Sequence, residues 1–134
     1  MTKFLAVYAA TFVTMLVLDL LWLGVIARSF YESGIGHLMA EKPNIPVAAL
    51  FYLLFPVGLV IFAVQPQAGS PGWTTAAGMA ALFGFFAYAT YDLTNLATLR
   101  DWPWNVALVD MAWGSAVSAA SAAMGKLVLD RMAA

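Results

Sequence analysis

The chain has 134 residues, of which 63% are hydrophobic and 10% charged, and its mean hydropathy is +0.86. Soluble domains carry about 45–50% apolar and about 25% charged residues, so this composition fits lipid as the solvent of a single domain. A formal net charge of −1 gives no electrostatic basis for nucleic-acid binding, the lack of Cys excludes thiol chemistry and Cys-based metal sites, and a lone His37 excludes a bis-histidine haem built from one chain.

Four apolar runs follow in chain order, over residues 4–27, 46–64, 73–96 and 104–125. A spanning helix needs about 20 apolar residues at about 1.5 Å each, and all four runs qualify, the second with least margin. In lipid every backbone polar group must be paired within its own segment, which leaves helix as the form for runs this long. The reading is an all-α integral membrane protein, a four-helix up-down bundle forming one transmembrane domain over residues 1–134. The first run is too long for a signal-peptide core and contains Asp19, so it reads as a span and not as a cleaved leader.

The intervening segments read as loops. Residues 28–45 carry Arg28, Glu32, Gly34, Gly36, His37, Glu41, Lys42 and Pro43. Residues 65–72, Gln-Pro-Gln-Ala-Gly-Ser-Pro-Gly, are a turn signal, and Pro103 suits the first turn of the fourth helix. Trp73, Trp102 and Trp104 stand where interfacial aromatics are expected. Four spans place both termini on one side with Lys3, Lys126 and Arg131, opposite Arg28, Lys42 and Arg100. That balance leaves orientation undecided by the positive-inside rule and admits dual insertion with an antiparallel homodimer; cytoplasmic termini are the working expectation.

Three carboxyls, Asp19, Asp92 and Asp110, lie within the runs, with no Lys or Arg beside them in the same spans. Each costs roughly 2.5–3.5 kcal/mol at a helix centre on insertion scales, so something must offset them. Asp19 precedes Arg28 by nine residues, Asp92 precedes Arg100 by eight, and Asp110 follows Pro103 by seven. At 1.5 Å per residue these are depths of about 13, 12 and 10 Å from one membrane face. The three therefore fall in one layer, nearer the 28–45 and 97–103 side. Tyr52 falls about 9 Å deep on the same scale, and Pro56, lacking an N–H, frees the Tyr52 carbonyl.

The neighbours of the carboxyls repeat. Asp19 and Trp22 share an Asp-x-x-Trp spacing with Asp110 and Trp113, while Asp92 has Asn95 at the same offset. Residues three or four apart share a helix face, so Met15, Asp19 and Trp22 are expected together, as are Gly84, Tyr88, Asp92 and Asn95. The repeat in oppositely directed spans suggests inverted-repeat ancestry. With Tyr91, these residues define an expected intramembrane polar site: Asp19, Trp22, Tyr52, Tyr88, Tyr91, Asp92, Asn95, Asp110 and Trp113. The aromatics either line a ligand pocket or simply pack and bond to the carboxyls. The carboxyls either take a proton, a cation or a polar substrate, or bond to Thr94, Asn95 and backbone carbonyls as structural ties.

Other features read as bland. Gly114, Ser118 and Ala122 recur every four residues in a small-residue face suited to close helix packing, within the bundle or between protomers. Ser115, Ser118 and Ser121 lack a base within the spans. Glu32, His37 and Glu41 read as solvated loop residues, so no metal and no cofactor is expected.

Leu18-Asp-Leu-Leu-Trp-Leu-Gly24, Tyr88-Ala-Thr-Tyr-Asp-Leu-Thr-Asn-Leu-Ala-Thr-Leu99 and Val109-Asp-Met-Ala-Trp-Gly114 together resemble a family of small bacterial membrane proteins catalogued only as a domain of unknown function. The resemblance covers nearly the whole chain and implies a multi-pass protein of the bacterial inner membrane, with no activity to carry over. Three functional classes stay open: binding or translocation of a proton, cation or small lipophilic molecule; a membrane enzyme acting on a lipid or isoprenoid through an acid–base pair of aspartates; and an accessory subunit of a membrane complex. The expected partners are the bilayer, a small lipophilic or cationic ligand, and a second copy or a membrane-complex partner.

Overall fold

The computed structural model describes residues 1–133 and is helical throughout its ordered elements. Helix α1, Thr2–Leu21, ends in a π-helical turn, Trp22–Ile26. A short helix α2, Arg28–Ile35, and a 3-10 turn, Gly36–Leu38, follow. Helix α3, Ile45–Leu59, continues through a π-helical turn, Val60–Val64, into a 3-10 turn, Gln65–Gln67. Helices α4, Thr74–Thr98, and α5, Trp104–Ala133, complete the chain.

Among the described residues three helical segments are long and apolar enough to cross a membrane: Thr2–Ile26, Ile45–Gln67 and Trp104–Ala133. Helix α4 has the length, at 25 residues, but Thr74, Thr75, Tyr88, Thr90, Tyr91, Asp92, Thr94 and Asn95 dilute its apolar character. The count of five helices exceeds the expected four because residues 28–35, expected as loop, form α2. Their pattern explains this: Tyr31 and Ile35 stand four apart on one face and pack inward, while Arg28, Ser29, Glu32 and Ser33 face out. The last helix also runs beyond the expected residue 125.

Buried positions recur at intervals of four residues, or eight between Gly84 and Asp92, as packed helix seams require. On α1 they are Val7, Thr11, Met15 and Asp19. On α4 they are Ala76, Ala80, Gly84 and Asp92. The carboxyls thus lie on the same stripes as the packing residues, which is why they face inward. Large apolar side chains such as Val13, Val17, Leu20, Leu53, Leu54 and Phe86 face outward, the arrangement lipid favours.

Helix α5 is central and packs most extensively on α4 and α1. The small-residue face closes both seams within the chain. A Cβ on Gly84 would collide with Ser118 and the Gly114 carbonyl, one on Gly114 with the Tyr88 ring, and one on Gly125 with Thr11 Oγ1. The first part of α3 leans on α1, where Tyr8 donates to the Leu53 carbonyl at 2.7 Å. Before Pro56 it meets α4 through the Phe55 ring, with centroids 5.5 Å from Phe83 and 6.1 Å from Tyr88, and close backbone packing on α4 comes at Val60–Val64. The helix is capped by Asn44, which accepts from Val47 N–H at 3.3 Å, with Pro46 in its first turn.

At the end opposite α2, Lys126 is fully buried. Its ammonium donates to the carbonyls of Ser70 at 2.6 Å and Gly72 at 3.0 Å and to Asp130 Oδ1 at 2.6 Å. This lysine ties the α3–α4 turn to α5. Gly72 has φ +83°, a left-handed conformation that glycine adopts without strain.

Candidate functional site

Two hydrogen-bonded groups form at the α2 end of the helices. In the first, Asp19 Oδ2 accepts from the Tyr52 hydroxyl at 2.7 Å and Asp19 Oδ1 accepts from Trp113 Nε1 at 2.6 Å. One carboxyl from α1 therefore links α3 and α5. In the second, Trp22 Nε1 donates to the Tyr31 hydroxyl at 3.1 Å, which donates to Asp110 Oδ1 at 2.8 Å. The indoles of Trp22 and Trp113 stack with centroids 4.5 Å apart and planes at 7°, joining the two groups.

The third carboxyl behaves differently. Asp92 is completely buried, and neither of its oxygens has a hydrogen-bond partner among the described residues. The Asp110 carboxyl and the Trp102 indole are its polar neighbours. The Trp102 N–H lies beside it without reaching hydrogen-bond geometry and is itself buried and unpaired. Trp102 is held edge-on by Tyr91, with centroids 5.5 Å apart at 89°.

These groups border a cavity of about 680 Å³ with mostly apolar walls. It exists because the first part of α3 stands away from α4. Phe51, Tyr52 and Phe55 form one wall and Ala87, Tyr88 and Tyr91 the other, with Asp19 and Asp110 between them. Arg28 and Glu32 stand at its α2 edge, paired with each other at 3.0 Å and exposed. Burial pushes the Tyr31 phenol up from its ordinary value, only partly offset by the bond from Trp22, so the hydroxyl stays protonated and donating.

Of the expected residues, Asp19, Tyr52, Tyr88, Tyr91 and Asp110 line the cavity. Trp22 and Trp113 stand behind its wall as donors and stacking partners. Asp92 lies buried beside Asp110. Asn95 does not join the site: it is half-buried, away from the cavity wall, and its side chain makes no hydrogen bond among the described residues. Thr94 bonds to the carbonyls of Thr90 and Tyr91 on its own helix, leaving Asp92 without the expected tie. Ser115 and Ser121 are spent on carbonyls of Ala81 and Val117.

Sequence reasoning missed Tyr31 and Trp102. The signal for Tyr31 was the amphipathic pattern of residues 28–35; Trp102 read only as an interfacial aromatic. His37 lies 3.5 Å from Asp101, both exposed, and no cluster of three or more metal-ligating side chains occurs among the described residues.

A family model described as "Predicted membrane protein (DUF2177)" matches residues 4–127. The chain belongs to this family. No curated protein and no solved structure matches it.

Proposed function

For this member of the DUF2177 family, we propose that the cavity binds a small amphiphile within the membrane, with an apolar body against the aromatic walls and a cationic head against Asp19 and Asp110. The protein works in this reading as a four-span up-down bundle in the bacterial inner membrane, with α4 as the fourth span and both termini in the cytoplasm. Helix α4 carries polar residues for a span because it lines the cavity with Tyr88 and Tyr91 and carries Asp92.

One observation carries the reading: a cavity of about 680 Å³ with apolar walls and two carboxyls fixed at its edge by neutral donors. Its volume lies within the range of about 300–1,000 Å³ usual for small-molecule sites. Tyr52, Trp113 and Tyr31 orient the carboxyls without neutralising them. The nearest fixed cation at the edge, Arg28, is already paired with Glu32. A positive head group, with aromatic faces beside it, is the complement of such a site. Serine-based catalysis has less support, because Ser115 and Ser121 are committed to backbone carbonyls and Ser118 is buried against Gly84.

The test is thermal unfolding of the purified protein in detergent with tetraphenylphosphonium, set against the similarly shaped anion tetraphenylborate. Binding to the folded state stabilises it by about 2.7 kcal/mol at 100 times Kd. The cation should raise the unfolding temperature and the anion should not. Asp19→Asn and Asp110→Asn should each weaken cation binding about tenfold, equivalent to about 1.4 kcal/mol. Equal stabilisation by both ions, or unchanged affinity in both variants, would sink the reading.

A further inference from the structure

We infer that Asp92 and Asp110 form a proton-binding pair that holds one shared proton when the cavity is empty and releases it when a cationic ligand enters. The inference rests on the proposed binding of a cationic head in the cavity, and adds the ion with which that head exchanges.

The starting point is the anomaly at Asp92. A carboxyl that is 0% exposed with both oxygens unpartnered is rare, because an isolated buried charge is far costlier than a buried hydrogen-bonded group. Two carboxyls facing one another cannot bond while both are ionised, since each oxygen is then only an acceptor. One proton removes the conflict: the protonated oxygen of one carboxyl donates to the other. Tyr31 occupies Asp110 Oδ1 and leaves Oδ2 free for that role.

Occupancy by a metal ion fits the site poorly. Hard cations take six or more oxygen ligands in most sites, whereas beside the pair stand the Tyr31 hydroxyl, already donating to Asp110, and the Trp102 indole, a donor only. No ligand cluster of metal-binding size occurs among the described residues.

The titratable groups facing the pair set its surroundings. From α1 comes Asp19, already holding two donors; from α2 comes Tyr31, donating to Asp110. Tyr52 of α3 is committed to Asp19, and Tyr88 and Tyr91 of α4 stand beside the cavity. Arg28 and Glu32 are outside this ring, paired at the exposed edge. Among the described residues no basic side chain pairs with Asp92, so the proton is the positive charge available to it.

Asp110 borders the cavity and Asp92 does not, which gives the exchange its route. A cationic head arriving beside Asp110 brings one positive charge. The shared proton leaves through Asp110 to water at the Arg28–Glu32 edge, and the site keeps its net charge. No covalent bond other than the carboxyl O–H is broken.

The deciding measurement is infrared spectroscopy of the carboxyl C=O stretch in the purified protein at neutral pH, in H2O and D2O. The ligand-free wild type should show a protonated-carboxyl band with a deuterium shift, and Asp92→Asn should lack it. Adding tetraphenylphosphonium should remove the band and release about one proton per cation bound, read with a pH-indicator dye, while Asp92→Asn binds the cation with no release. Absence of the band in the wild type, or its persistence in Asp92→Asn, overturns the shared proton. A band that survives saturating cation overturns the exchange and leaves ligand binding standing. If the cation fails to raise the unfolding temperature at all, the binding reading and the exchange fall together, and the band still decides the shared proton.

Discussion

Asp19 and Asp92 are chemically identical and both buried, yet the structure assigns opposite consequences to the same substitution. Asp→Asn is nearly isosteric, so packing is left alone. At position 19 the carboxyl accepts from Tyr52 and Trp113. An amide offers one acceptor and one donor. Trp113 N–H can only donate, so the amide oxygen must turn to it, and the amide NH2 then faces the Tyr52 oxygen. The Tyr52 proton loses its acceptor. Interhelical hydrogen bonds in membrane proteins average about 0.6 kcal/mol, with a maximum near 1.7, so Asp19→Asn should lose about that range of stability. At position 92 neither oxygen has a partner apart from the proton proposed to be shared with Asp110. An amide donates to Asp110 as a protonated carboxyl does, and it carries no charge to desolvate. Asp92→Asn should therefore lie within about 0.5 kcal/mol of wild type or be more stable. Reversible unfolding in mixed detergent micelles, with Tyr52→Phe and Asp19→Asn combined in a double-mutant cycle, measures both. Equal losses at the two positions, or zero coupling between Tyr52 and Asp19, would refute the reasoning.

Three further outcomes follow from other contacts. Gly114→Ala puts a methyl group into the Tyr88 ring and should cost about 1–3 kcal/mol by overpacking, measured by the same unfolding assay; displacement of Tyr88 should also weaken tetraphenylphosphonium binding. Lys126→Met removes three hydrogen bonds from a buried ammonium and should cost about 2–3 kcal/mol, with faster proteolysis in the 65–72 turn. Tyr31 has its phenol raised by burial, so its Asp110 bond is fully present below the unfolded value of 10.0 and is lost as pH rises through the folded value. Wild type should lose stability above about pH 10 more steeply than Tyr31→Phe, seen in unfolding temperature against pH.

Much of this architecture was legible in composition and spacing. The excess of apolar residues dictates lipid as solvent, and lipid dictates helix. Run length then located α1, α3, α4 and α5, and the i, i+4 rule put Asp19 on the stripe of Met15 and Asp92 on that of Gly84. Depth counting from the flanking charges put Asp19, Asp92, Asp110 and Tyr52 at similar heights because rise per residue is fixed in a helix, and Asp19, Tyr52 and Asp110 do meet at one cavity. Partner choice needed the tertiary structure. Helix spacing cannot say which donor meets which oxygen, and so Trp113 bonding to Asp19, rather than to the Asp110 of its own motif, was not readable. Asn95 shares a face with Asp92 yet turns away, because a face is about 100° wide and a hydrogen bond is not. Tyr31 was hidden because the polar residues of 28–35 resemble a loop until α5 supplies an apolar surface at Val106 and Ala107 for α2 to fold against. The cavity itself exists only through the divergence of α3 from α4, a relation between two helices that neither run of residues encodes alone.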